Sequence, residues 1–217
     1  LSPAGTISGT ATAAGASTFT VKATAKEKNF GPTRVDSRQY TLTVAAQLGA
    51  TLSSRRAEVG RPFRAAVAPS GGVAPYRLAV AGLPAGLRFD SGKNQITGVP
   101  RKAGSFVLKT TVTDSSGSAQ SVDVRLVVAR KLTIAASRLP GATVGHAYSV
   151  EIRKVGGVGP FSWTIGSGRL PQGLKLNAQT GTIAGTPRSA GTSVVKLKVR
   201  DALGAVSTRR LSLSVTS

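Results

Sequence analysis

Apolar and polar residues alternate in short runs along nearly the whole chain. Ser17, Phe19, Val21 and Ala23 form one run, and Tyr40, Leu42 and Val44 form another. The alternation returns at Phe63, Ala65 and Val67, at Tyr76, Leu78 and Val80, at Phe106, Leu108, Thr110 and Val112, and at Val122, Val124, Leu126 and Val128. It comes back once more at Tyr148, Val150 and Ile152, at Phe161, Trp163 and Ile165, at Val195, Leu197 and Val199, and at Leu211, Leu213 and Val215. A period of two with β-branched and aromatic residues predicts half-buried strands. Gly, Pro, Asn and Asp break the runs, and no helical period of useful length is readable.

Between the runs lies a recurring punctuation. Leu83–Gly104 reads LPAGLRFDSGKNQITGVPRKAG, Leu170–Gly191 reads LPQGLKLNAQTGTIAGTPRSAG, and Leu1–Gly15 is a clipped copy, LSPAGTISGTATAAG. Gly9, Gly98 and Gly185 are 89 and 87 residues apart, and Gly15, Gly104 and Gly191 keep the same spacing. A long fixed period marks one folding unit used repeatedly. Pro stiffens the crossing, Gly permits its turn, and one β-branched residue, Ile96 or Ile183, is buried between them.

The order Pro-Tyr/Phe, Leu-Pro-x-Gly-Leu, Ile-x-Gly-x-Pro, Ala-Gly, Asp-x-x-Gly resembles the putative-Ig (cadherin-like, dystroglycan-type) repeats of bacterial surface proteins. The resemblance covers two full copies and the back half of a third. It implies an all-β chain of tandem Ig-like antiparallel β-sandwich domains in a rod-like row. Residues 1–48 are expected to be the C-terminal half of a repeat, with 49–129 and 130–217 as full repeats. Linkers at Ala45–Ala50 and Ala129–Lys131 are short, which favours a semi-rigid rod. The family's scaffold appears in adhesins, wall proteins and accessory modules of secreted enzymes, so the fold alone does not give the function.

The first half-repeat carries a longer connection, Lys26–Arg38. It adds about five residues relative to its counterparts and holds Lys26, Glu27, Lys28, Phe30, Pro32, Arg34, Asp36 and Arg38. This charged hairpin tip is a candidate contact loop. Without the strands that precede the equivalent hairpin elsewhere, Phe19, Val21, Tyr40 and Leu42 are expected to face water. Two explanations stay open. The chain is a fragment of a longer rod, or another chain completes the sandwich by strand addition, giving homo-assembly. The sequence contains no Met and starts at Leu1 inside a motif, which implies a processed or cropped polypeptide. No run is apolar enough for a membrane span.

Charge sharpens the functional reading. Lys and Arg number 29 against 8 Asp and Glu, a net +21. The balance climbs from +3 in residues 1–48 to +7 in 49–129 and +11 in 130–217. Lys196, Lys198 and Arg200 alternate with buried positions of one strand, and Arg210 lies on the next. Arg77, Lys109 and Arg125 occupy comparable outward positions in the preceding repeat. Together they predict basic sheet faces for an anionic polysaccharide, glycan or cell-envelope polymer. Nucleic acid is disfavoured as a physiological partner. The charge fits, but the aromatics point inward and no reading helix exists.

Other candidate chemistry is thin. Trp163 could stack on a sugar, but its alternation places it in the core. Asp114 and Asp201 sit at matching turns and invite a Ca²⁺ role, yet each turn supplies one carboxylate, and Ala25 takes the position in the first copy. They read as turn formers. His146 is the only histidine, with Glu151 the nearest acid, and no nucleophile is marked. There is no Cys. No cofactor, metal or catalytic residue is expected. The chain reads as a non-catalytic structural or adhesive segment of a secreted bacterial surface protein, located at the cell surface. The alternatives are a subunit of an extracellular filament or phage appendage, and a binding module of a secreted enzyme.

Overall fold

A computed structural model describes residues 5–26 and 33–217, and among these every regular element is a β-strand. β1 (Gly15–Lys26) and β2 (Thr33–Val44) form an antiparallel hairpin. Eight strands follow: β3 (Gly49–Leu52), β4 (Arg56–Glu58), β5 (Phe63–Ser70), β6 (Arg77–Ala81), β7 (Leu87–Asp90), β8 (Gln95–Gly98), β9 (Gly104–Thr113) and β10 (Ala119–Ala129). They make two sheets, ordered β4-β10-β9-β6 and β3-β5-β8-β7. β4 runs parallel to the end of β10, and the other pairs are antiparallel. Phe63, Ala65, Val67 and Ile96 from one sheet and Leu108, Val112, Val124, Leu126 and Val128 from the other share one buried cluster.

The plan repeats in β11 (Thr133–Ile134), β12 (Ala142–Thr143), β13 (Tyr148–Glu151), β14 (Lys154–Val155), β15 (Ser162–Gly168), β16 (Leu174–Leu176), β17 (Thr182–Gly185), β18 (Gly191–Arg200) and β19 (Val206–Thr216). One sheet is β12-β19-β18-β15, and the facing strands form β13-β17-β16 and β11-β14. Here the equivalent of β5 is split into β13 and β14. Trp163, Ile183, Leu197, Leu211 and Leu213 anchor the core.

In the two complete repeats the inward residues are those the alternation predicts, with one exception. Ile165 is 38% exposed. The ladder between β15 and β18 shifts register between Ile165 and Ser167, and β15 is an edge strand, so this side chain lines an open cleft with Leu170 and Leu176. A bulge re-aims side chains in this way. Gly49 and Ala50, grouped with the linker by sequence, pair in β3 with Ser70 and Pro69.

The structure explains why the glycines of the punctuation recur. Gly98 has φ 135°, and a Cβ there would stand 2.1 Å from the Gly86 carbonyl oxygen. Gly86 would in turn meet the Val99 oxygen at 2.0 Å. Gly185 and Gly173 repeat the arrangement, at 2.0 Å from the Gly173 oxygen and 1.9 Å from that of Thr186. The two motifs are therefore halves of one close backbone crossing, closed in the first case by Val99 N–H donating to Gly86 O at 2.9 Å.

The second and third units are also joined directly. Glu58, 2% exposed, accepts the Leu132 N–H at 2.5 Å, and Arg61 Nη2 donates to Leu203 O at 3.1 Å. Gly185→Ala is expected to destabilise the third unit by about 3 kcal/mol or more, because strain at positive φ adds to a backbone clash. Gly117→Ala, at φ 84° with open space around it, is expected to cost only about 1 kcal/mol. Urea unfolding of the two variants measures the difference.

Candidate functional site

The outer face of the β15-β18-β19 sheet is built by strand alternation. Val195, Leu197 and Val199 point into the core, so Lys196, Lys198 and Arg200 stand exposed on the opposite face. Across the ladder Lys196 pairs with Arg210, Lys198 with Thr208, and Arg200 with Val206. On the other side Thr164 pairs with Lys198, and Ser162 with Arg200. Directly opposed side chains lie about 5 Å apart at Cβ, and alternate residues along a strand about 7 Å apart. Like charges so placed repel one another, and Lys196 and Arg210 are such a pair. No Asp or Glu occurs on any of these three strands. The four cations thus form one compact patch bordered by hydroxyls and by the exposed Val194 and Val206.

The outer face of β6-β9-β10 differs. Lys109 pairs across the ladder with Asp123, at the rung where the third unit has Lys196 and Arg210. Arg125 pairs with Val107, and Arg77 with Thr113 at the far end of β6. Val107 and Val127 are exposed on the same face. All three predicted cations are on the surface, but they are spread out, and one opposes a carboxylate. The structure brings together Lys196, Lys198, Arg200 and Arg210 far more closely than Arg77, Lys109 and Arg125.

The remaining candidates resolve into structural roles. Trp163 is 1% exposed and packs against Gly181, where a Cβ would stand 2.5 Å from the indole. It cannot stack on a sugar. His146 is exposed, with Nδ1 3.1 Å from Val144 O. Asp114 is buried. Its Oδ2 accepts from Val73 N–H at 3.0 Å, and Oδ1 accepts from the Ser116 hydroxyl at 2.7 Å and from the N–H groups of Ser116 and Ser118. Asp201 accepts from Val158 N–H at 2.9 Å and Ala205 N–H at 2.7 Å. Both carboxylates tie the hairpin turn to the Gly-Gly turn before the next strand. Among the described residues no cluster of three or more His, Asp and Glu could hold a metal.

The candidate loop of the first hairpin lies partly outside the described residues, which leave out Glu27, Lys28, Phe30 and Pro32. Arg34, Asp36 and Arg38 lie in β2 rather than in a loop: Asp36 and Arg38 pair with Ala23 and Val21 on rungs the complete repeats share, and Arg34 is on one of two rungs the ladder gains, Ala25 with Arg34 and Lys26 with Thr33. One contact had no signal in the sequence: the Lys154 ammonium sits 3.6 Å from the centroid of the Phe161 ring. Phe161 belongs to the Pro-Tyr/Phe motif, but nothing in the motif marks Lys154, and only the fold brings the two together.

The model of the putative Ig domain matches residues 46–129 and 131–216. The chain belongs to this family. The Ig-like repeats carry no helix long and apolar enough to cross a membrane. Among characterised proteins, the serine-rich adhesin for platelets of Staphylococcus aureus (strain N315) is 29% identical over 173 residues, which is 76% of this chain. The chain spans only 8% of that relative's length. Among solved structures, the C-terminal fragment of intimin in complex with the intimin-binding domain of its translocated receptor is 15% identical, with a TM-score of 0.41 over 76% of this chain and 63% of that one. The fibronectin(III)-like modules of Clostridium thermocellum CbhA are 11% identical, with a TM-score of 0.38 over 77% and 94%.

In the first complete Ig-like repeat, Asp114 titrates below the usual carboxylate range. The Ser116 hydroxyl is the main cause; burial opposes it, and the N–H groups of Val73, Ser118 and Ser116 add to the lowering. A depressed folded-state pKa contributes stability that is present above the unfolded value of about 4 and is lost as pH falls through the folded one. Ser116→Ala should therefore raise the Asp114 pKa toward about 4 and shift acid unfolding of this repeat to higher pH. NMR titration of the Asp114 carboxyl, with unfolding followed from pH 6 to 2, measures both.

Proposed function

We infer that this chain is a non-catalytic adhesive segment of a bacterial protein displayed outside the cell. In this reading the third repeat grips an anionic envelope polymer or glycan with the outer face of β15, β18 and β19. One observation carries it: Lys196 and Arg210 are paired across a ladder, with Lys198 and Arg200 alongside and no carboxylate on the three strands. A sheet pays an electrostatic cost to oppose two cations, and a bound polyanion removes that cost. The adhesin relative and the Ig-like scaffold support the adhesive part.

The ligand that fits is a linear polymer with repeated phosphate, sulfate or carboxylate groups. Neighbouring cations about 5–7 Å apart match successive charges along such a chain. The flanking hydroxyls of Ser162, Thr164 and Thr208 can hydrogen-bond to the oxygens of such a polymer, and Val194 and Val206, exposed on the same face, border the cations.

Binding to an immobilised sulfated glycan and to a glycerol-phosphate polymer tests the reading. The expected result is binding that weakens steeply as salt rises, because counterions are released. Replacing Lys196, Lys198 and Arg210 together by Ser should weaken it by roughly a hundredfold at low salt, and replacing Arg77, Lys109 and Arg125 by Ser should weaken it by no more than roughly threefold. Equal losses from the two triple variants would mean that net charge, not the patch, is responsible, and the site assignment would fall.

A further inference from the structure

The β1–β2 hairpin matches the closing hairpins of the two complete repeats rung for rung. Gly15 pairs with Val44, as Gly104 pairs with Val128 and Gly191 with Val215. Phe19 pairs with Tyr40 where Leu108 pairs with Val124 and Val195 with Leu211. In both complete repeats these positions are buried under the facing sheet. In the first hairpin Tyr40 is 49% and Leu42 52% exposed, and the Phe19 and Tyr40 rings stack at 6.0 Å between centroids. Ile7 extends the correspondence. It stands 89 residues before Ile96, which is fully buried, yet Ile7 itself is 55% exposed.

Both edges of the hairpin are also open. In the complete repeats the outer edge of β10 or β19 carries a parallel strand, β4 or β12, and the outer edge of β9 or β18 carries an antiparallel one, β6 or β15. Among the described residues β1 and β2 pair only with each other. A two-stranded hairpin with an apolar face is at best marginally stable in water. Its vacant positions are the same three that the other hairpins fill: one facing sheet and two flanking strands.

We propose that the apolar face and both edges of β1–β2 are a docking surface for the front half of an Ig-like repeat, a polypeptide segment with the strand plan of residues 48–89. The segment lays one short strand parallel to the end of β2 and one antiparallel to β1. It covers Phe19, Val21, Tyr40, Leu42 and Ile7 with alternate apolar residues. It also presents an acceptor side chain to the backbone at Leu48, the residue that stands where Leu132 meets Glu58. A second copy of this chain is the weaker occupant, because its own front-half strands are already paired within its two complete repeats. This surface is separate from the basic face of the third repeat, and its assignment does not depend on the polyanion reading.

The test compares the 217-residue chain with the same chain carrying a copy of residues 48–89 joined to Leu1, so that Phe89 precedes Leu1 as it precedes Asp90. Hydrogen exchange is followed by mass spectrometry in residues 15–26 and 33–44, with β9–β10 and β18–β19 as internal references. In the 217-residue chain at low concentration the first hairpin should exchange fast while both references are protected. In the extended chain it should slow by roughly a hundredfold or more, as local opening becomes coupled to a whole domain. Leu42→Asp in the extended chain should restore fast exchange without altering the references. Three results would overturn the proposal. They are a hairpin already as protected as the references in the monomeric chain, protection that appears only as the chain is concentrated, which would make a second copy the occupant, and no slowing in the extended chain while its other repeats remain folded.

Discussion

Gly86 with Gly98, and Gly173 with Gly185, mark places where two backbone segments run so close that neither tolerates a Cβ. Much of the fold follows from that approach. The Leu-Pro-x-Gly-Leu segment enters β7 or β16 from it, and the Ile-x-Gly-x-Pro segment leaves β8 or β17 through it. Ile96 and Ile183, fully buried, are held at the centre of the core by the same geometry. The prolines that follow pass the constraint on: Pro100 O accepts the Gly60 N–H and Pro187 O accepts that of Gly145, at 3.0 Å each. Those glycines lie in the turns after β4 and β12, the strands that run parallel to β10 and β19. One crossing therefore ties both sheets to the edge that closes the sandwich. A sequence can vary widely in such a domain so long as these residues stay small or cyclic.

A second constraint acts between the repeats. Glu58 is a carboxylate almost without solvent. One oxygen accepts from Leu132, while the other has no hydrogen-bond partner among the described groups and lies 3.9 Å from Arg61 Nε. Burying a charge this way is costly, and an apolar residue would pack at least as favourably. What the carboxylate adds is direction: it fixes the start of the third repeat against the edge strand of the second. Arg61 strengthens the joint from the other side by donating to Leu203 O. The joint is polar and specific rather than greasy.

The sequence was most informative where physical demands repeat. Alternation placed Leu108, Val124, Leu197 and Leu211 inward because a sandwich face admits no other pattern. The spacing of Gly98 and Gly185 exposed the repeat, although the reason for those glycines is a contact between segments twelve residues apart, which no local rule contains. Ile165 misled because a register shift at an edge strand is invisible to periodicity. The five additional residues of the first hairpin looked like a long loop, and four of them extend the ladder instead, since nothing in the composition of Ala25, Lys26, Thr33 and Arg34 opposes pairing. Lys154 on Phe161 and Glu58 on Leu132 were out of reach for the same reason: both are meetings of residues that only the tertiary fold makes neighbours.

The two basic faces show how such a scaffold takes on chemistry. Inward positions of the paired hairpins are interchangeable between repeats, Leu126 for Leu213 and Val112 for Val199, because the core sees only volume and polarity. Outward positions face no such demand. The rung that holds Lys109 and Asp123 in one repeat holds Lys196 and Arg210 in the next, and the rung of Thr111 and Ser121, hydroxyls 3.0 Å apart, becomes Lys198 and Thr208. Exchanging one carboxylate for a guanidinium and one threonine for a lysine turns two neutral rungs into cationic ones, at positions that face away from the core. Solubility alone would be served by scattered charge of either sign. Concentrating one sign across two adjacent strands, against the repulsion this creates, is the arrangement that a polyanionic partner would reward and that folding would not.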